Sequence, residues 1–136
     1  MNFITMEVEY DFPIQIEECL VDSYTADKKI DVISYNIGAP TLTSQIYSFV
    51  EDPPCYYDET VTLTNLPDFV QHNEMDSLFV IPENSDLSLI GSYTVTIRSE
   101  IQIPDDYTMT SYTTMFVEYD FVILIEPCLV SDYTST

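Results

Sequence analysis

Residues 5–25 read TMEVEYDFPIQIEECLVDSYT, and residues 114–134 read TMFVEYDFVILIEPCLVSDYT. Laid over each other without a gap, they agree at 15 of 21 positions at an offset of 109 residues, which marks an internal repeat. In the first stretch Met6, Val8, Tyr10, Phe12, Ile14 and Ile16 alternate with Glu7, Glu9, Asp11, Pro13, Gln15 and Glu17. A period of two puts the apolar set on one side of an extended chain, so the stretch predicts a half-buried strand. In the second stretch the inward set, Met115, Val117, Tyr119, Phe121, Ile123 and Ile125, is almost unchanged, while the outward face gains Phe116, Val122 and Leu124. Both stretches suit the same slot, and a domain has one such slot. The 136 residues therefore make about one and a quarter repeats.

Two arrangements resolve that conflict. The chain is a window on a tandem array, with residues 1–18 the last strand of the preceding domain; or it is a discrete subunit that donates residues 1–18 to a neighbour's sheet. Both predict head-to-tail assembly with itself as partner, as a homopolymer or as tandem repeats. Pairing of the two stretches inside one small domain is the third arrangement, but it gives no reason for repeating Cys-Leu-Val and Tyr-Thr beyond the strand.

Composition narrows the class. Twenty-four acidic side chains against three basic ones give a net charge of −21. Lys28, Lys29 and Arg98 cannot build the basic face that nucleic acid or an anionic membrane surface requires, so neither is expected as a partner. A chain that is 46% hydrophobic and 13% aromatic has ample material for a core, which excludes disorder. The longest notable apolar run, Phe121 to Ile125, is far short of the ~18 residues of a membrane span, so no membrane insertion is expected. No signal peptide is visible; for a secreted protein it would have been removed or lie upstream. Two Gly, eight Pro, eleven Tyr and seven Phe, with abundant Thr, Val and Ile, form an all-β inventory. So acidic a surface suits an extracellular or cell-surface setting.

Strands are predicted over residues 30–37, 41–50, 59–64, 68–72, 77–82, 91–103 and 113–126. Between them Gly38-Ala-Pro40, Asp52-Pro-Pro54, Asn65-Leu-Pro67, Pro82-Glu-Asn-Ser85 and Pro104-Asp-Asp106 break ladders or set turn angles. Seven strands predict a β-sandwich, with an extra N-terminal strand repeating the last. The expected organisation is a linking strand at 1–18, a junction linker at 19–29, the sandwich at 30–128 and a linker to the next unit at 129–136.

Three motifs sharpen this: Tyr35-Asn-Ile-Gly38 with Pro40, Thr64-Asn-Leu-Pro-Asp-Phe69, and Asp86-Leu-Ser-Leu-Ile-Gly-Ser-Tyr-Thr-Val-Thr-Ile97. The layout resembles the cadherin-like and immunoglobulin-like repeats that occur in tandem in large extracellular proteins of bacteria and protists. The resemblance covers roughly residues 30–128 and implies that Gly91 permits a corner and that Tyr93 packs inward, its hydroxyl bonding to backbone. The dense Asp-rich linker motif of classical cadherins is absent.

Cys19 and Cys128 hold the same place in the repeat, so each period carries two cysteine sites, with Cys55 the second. In a sandwich of this topology the loop carrying Cys55 returns to the pole where the chain enters, while Cys128 leaves at the other. Cys19–Cys55 is the expected disulfide, with Cys128 bonded to the next unit; Cys55–Cys128 and three unpaired thiols are the alternatives. Closing that 36-residue loop would contribute on the order of 3 to 4 kcal/mol and imply an oxidising compartment.

Catalytic parts are missing from the pattern. His72 has no second base, oxyanion loop or metal-ligand spacing beside it and is expected at the surface. Gly38 and Gly91 are too far apart to cradle phosphate. No catalytic residue is assigned, and no cofactor is expected. Asp22 and Asp27 of the entry linker, Glu51 and Asp52, and Asp105 and Asp106 should converge at one pole, an oxygen-rich arrangement that suits Ca²⁺; a solvated acidic junction explains them equally well. No Asn-x-Ser/Thr sequon occurs, whereas Thr108 to Thr114 and the Tyr-Thr-Ser-Thr tail offer acceptors for O-glycans. The expected function is a structural repeat of an extracellular filament, joined head to tail by strand sharing and junction disulfides. An adhesin-type binding repeat is the alternative.

Overall fold

The computed structural model describes residues 2–44, 46–105 and 111–128. Their elements are strands β1 (Ser23–Lys28), β2 (Val32–Asn36), β3 (Leu42–Thr43), β4 (Ser48–Asp52), β5 (Thr60–Thr64), β6 (Gln71–Asn73), β7 (Leu78–Ile81), β8 (Gly91–Pro104) and β9 (Tyr112–Glu126), with a 3₁₀ turn at Leu87–Leu89. No α-helix occurs among them, and none is long and apolar enough to cross a membrane. The fold is all-β.

The backbone of the molecule is the hairpin of β8 and β9, antiparallel from Gly91↔Ile125 to Pro104↔Tyr112. β5 joins the far side of β8, with Thr60 opposite Glu100. β2 runs parallel to the end of β9, from Val32↔Val122 to Asn36↔Glu126, completing a sheet of order β2-β9-β8-β5. The remaining strands form a three-stranded sheet, β3-β7-β6, and the pair β1-β4. These meet the large sheet through side chains: Phe79 of β7 lies 5.1 Å from Phe121, and Phe49 of β4 lies 6.3 Å from Tyr119, measured between ring centroids. The sheets together are compatible with a β-sandwich.

Alternation along β8 and β9 sets the core. Val95, Ile97, Ser99, Ile101 and Ile103 of β8 are buried, as are Phe121, Ile123 and Ile125 of β9, against Tyr47, Phe79 and Ile81. Ser99 is the one buried polar residue among those described, and its Oγ lies 2.6 Å from the Tyr24 hydroxyl of β1, so the group has a partner.

Three expectations need correction. The stretch 19–29, read as a linker, contains β1: Tyr24 is buried and Ala26 partly so, and they alternate with outward residues well enough to pair with β4, despite the charged Asp27 and Lys28 at the strand's end. The strand expected over 41–50 is two, because the chain changes partner: Leu42 and Thr43 pair with β7, and Ser48–Asp52 pair with β1. Among the described residues the strands accordingly number nine rather than seven plus a linking strand, and residues 2–21 form none of them. His72 is half-buried, stacked on Phe79 at 5.0 Å, with Nε2 2.6 Å from the Tyr47 hydroxyl. Its flat ring fills the edge of the aromatic cluster, and burial lowers its pKa below the usual histidine value, against the opposing pull of Glu74.

Candidate assembly segment and junction

The duplicated stretch exists in two environments. In β9, Phe121, Ile123 and Ile125 are buried and Met115, Val117 and Tyr119 half-buried, whereas Phe116, Glu118 and Asp120 between them are exposed. Tyr119 is held further: its hydroxyl accepts from the Ile30 amide at 3.3 Å, and the Lys29 ammonium lies 5.4 Å from its ring centre. Met6, Val8, Tyr10, Phe12, Ile14 and Ile16 carry the same pattern outside the fold. All six are 66–94% exposed, and residues 2–21 belong to no strand. β8 already holds β9 over its whole length, so the slot that suits this apolar face is full. Large apolar side chains contiguous on an exposed segment mark a surface meant to be covered.

The exposed segment is fastened where it enters the domain. Cys19 and Cys55 form a disulfide with Cα atoms 5.6 Å apart. The Tyr57 hydroxyl donates to the Cys19 carbonyl at 2.6 Å, and the Asp22 amide donates to the Asp52 carbonyl at 2.8 Å. β1 then pairs with β4, and the Tyr24 ring settles 6.0 Å from that of Phe49. Burial pushes the Tyr24 hydroxyl up to about 12, so it stays a neutral hydrogen-bonding group. Cys128, at the repeat position of Cys19, is exposed and carries no disulfide.

Glu51 braces this junction. Its carboxylate accepts from the amides of Cys55, at 2.8 Å, and Tyr57, at 3.0 Å, fixing the loop that presents the cysteine. Asp105 accepts from the Thr113 and Ser111 hydroxyls, which hold its carboxyl below the usual range. Asp27 accepts from Ser48 at 3.4 Å. The carboxylates read as a calcium pole thus have other partners at Glu51, Asp105 and Asp27, while Asp22 and Asp52 meet through their backbones. Asp106 lies outside the described residues, and among those described no three His, Cys, Asp or Glu side chains gather as a ligand set. The proposed O-glycan acceptors Thr108 and Thr110 and the tail at 129–136 also fall outside them.

At the corner before β8, Asp86 caps the turn Leu87–Leu89 by accepting from the Ser88 amide, and the Tyr93 hydroxyl donates to the Leu89 carbonyl at 2.6 Å. Gly91 starts the strand at φ +157°. Tyr57 and Ser99 were missed as junction residues. The signal for Ser99 was a polar side chain on the inward parity of an otherwise aliphatic strand; Tyr57 had none, since its partner is a backbone carbonyl brought close by the disulfide. Comparison with models of known protein families gives no match, and comparison with curated proteins finds no relative.

Proposed function

We propose that the chain is a structural unit of an extracellular filament that joins like units head to tail through its duplicated strand and junction disulfides. One observation carries this reading: six side chains that are buried or half-buried in β9 recur, at the same spacing, on an exposed segment. Burying a large aliphatic or aromatic side chain stabilises by about 1.5–3 kcal/mol, so six give on the order of 10 kcal/mol before ordering costs. A ladder of backbone hydrogen bonds adds collective resistance to pulling.

Because β8 already holds the chain's own β9, residues 2–17 suit the β9 slot of a preceding unit whose slot is open, covalently linked or not. The parallel pairing of β2 with β9, the order β2-β9-β8-β5 and the Tyr93 corner support an Ig-like or cadherin-like sandwich for each unit. The disulfide supports an oxidising, extracellular setting. The test is electron microscopy and light scattering of the purified chain beside a version beginning at Glu18. Filaments from the full chain and folded monomers from the shortened one are expected; equal monomers from both would remove the assembly role of residues 1–17.

A further inference from the structure

The seat of residues 19–25 is built by three parts of the domain that do not depend on which chain supplies those residues. Cys55 provides the sulfur, Tyr57 the hydroxyl for the Cys19 carbonyl, β4 the ladder from Ser23↔Asp52 onward, and Phe49 and Ser99 the pocket for Tyr24. Residues 128–134 read CLVSDYT against CLVDSYT at 19–25. The anchors, Cys and Tyr, are kept at the same spacing. The two residues that differ are interchanged Asp and Ser at positions where the seat takes hold of backbone, through the Asp22 amide and the β1–β4 ladder.

Cys128 cannot reach that seat in its own chain. β9 ends beside Gly91, while the Cys55 loop leads into β5, whose Thr60 pairs with Glu100 of β8. Nine residues of strand separate these levels, about 30 Å at ~3.3 Å per residue. The segment ending in Cys128 therefore leads away from its own Cys55.

From this geometry we propose that the Cys55 seat receives residues 128–134 of another copy of this chain, Cys128 bonding to Cys55 and Tyr133 taking the place of Tyr24. The proposal rests on the head-to-tail reading and identifies the contact at a joint where a neighbouring copy's duplicated segment, rather than the chain's own residues 19–25, fills the seat. The step is thiol–disulfide exchange. The Cys128 thiolate attacks the Cys55 sulfur, the Cys55–Cys128 bond forms as the Cys19–Cys55 bond breaks, and Cys19 leaves as a thiolate that takes up the proton Cys128 gave up. The number of disulfides is unchanged, so no oxidant is consumed.

The test uses the full chain, mixed from ¹⁵N-labelled and unlabelled protein without air. Free thiols are blocked after incubation, and the bonded peptides are mapped by mass spectrometry and non-reducing gels. Mixed-isotope Cys55–Cys128 peptides, with Cys19 blocked as a free thiol, are expected, and Cys128→Ser should abolish them. Tyr133→Ala should lower their yield at least fivefold, with Tyr133→Phe intermediate. In case the resident disulfide exchanges too slowly, Cys19→Ser supplied with oxidised glutathione frees the Cys55 thiol, removes the covalent hold on residues 19–25 and should give the same inter-copy bond. Failure to form it there, same-isotope peptides only, or a yield indifferent to Tyr133→Ala would overturn the proposal. Filaments without a Cys55–Cys128 bond would sink this contact and leave the head-to-tail reading standing. The bond in chains whose assembly ignores loss of residues 1–17 would do the reverse.

Discussion

Phe12 and Phe121 hold the same place in the duplicated stretch, yet Phe12 keeps 66% of its surface exposed and Phe121 only 1%. The sequence difference around them is small, so environment decides what each contributes. Phe121→Ala should destabilise the domain by about 3–5 kcal/mol, the cost of truncating a buried aromatic, read from the urea midpoint. Phe12→Ala should leave that midpoint within about 0.5 kcal/mol and weaken self-association instead. His72 gives a second prediction at this scale. Its folded pKa lies below the unfolded value of about 6.5 because burial penalises the charged ring, so the unfolded chain binds more protons and stability rises with pH. The contribution is fully present above the unfolded pKa and is lost as pH falls through the folded one. Urea titrations at neutral and mildly acidic pH should show this loss in the natural chain and a smaller one in His72→Phe, which keeps the stacking on Tyr47 and Phe79 without a titrating ring.

β1 shows how an element reads differently in sequence and in structure. Six residues, SYTADK, bury one tyrosine, yet Tyr24 ties the strand to the opposite sheet through Ser99. Tyr24→Phe should cost about 1–3 kcal/mol, because the buried Ser99 hydroxyl loses its partner, and adding Ser99→Ala should recover part of that in a double-mutant cycle. The long strands were legible for a simple reason: β8 and β9 alternate over 14 and 15 residues, enough for the period to identify element and buried face. β3, with two residues, and the break before β4 were not, since a strand that changes partner keeps its alternating pattern while its ladder is cut. The disulfide was legible once the poles were placed, but Glu51 as a brace for the Cys55 loop was not. A carboxylate accepting two backbone amides looks the same in sequence as one facing solvent.

At the scale of the whole molecule, net charge opposes the head-to-tail association proposed for the exposed segment. Each chain carries −21, and Arg98, one of its three cations, is already taken by Glu100 and Glu118 at 2.6 and 3.3 Å. Bringing such chains end to end sets carboxylates against carboxylates, so apolar burial must outweigh repulsion. Salt shortens the screening length from about 30 Å at ~0.01 M to about 3 Å at ~1 M, which weakens the repulsion and leaves the apolar term intact. Assembly measured by light scattering should therefore strengthen with added NaCl, whereas a joint held by opposite charges would weaken. Repeating the titration with CaCl₂ at matched ionic strength separates screening from binding. Because Glu51 and Asp105 already accept two hydrogen bonds each, calcium should promote assembly no more than its ionic strength accounts for. A calcium effect saturating well below the screening range would instead show a shared carboxylate site between units.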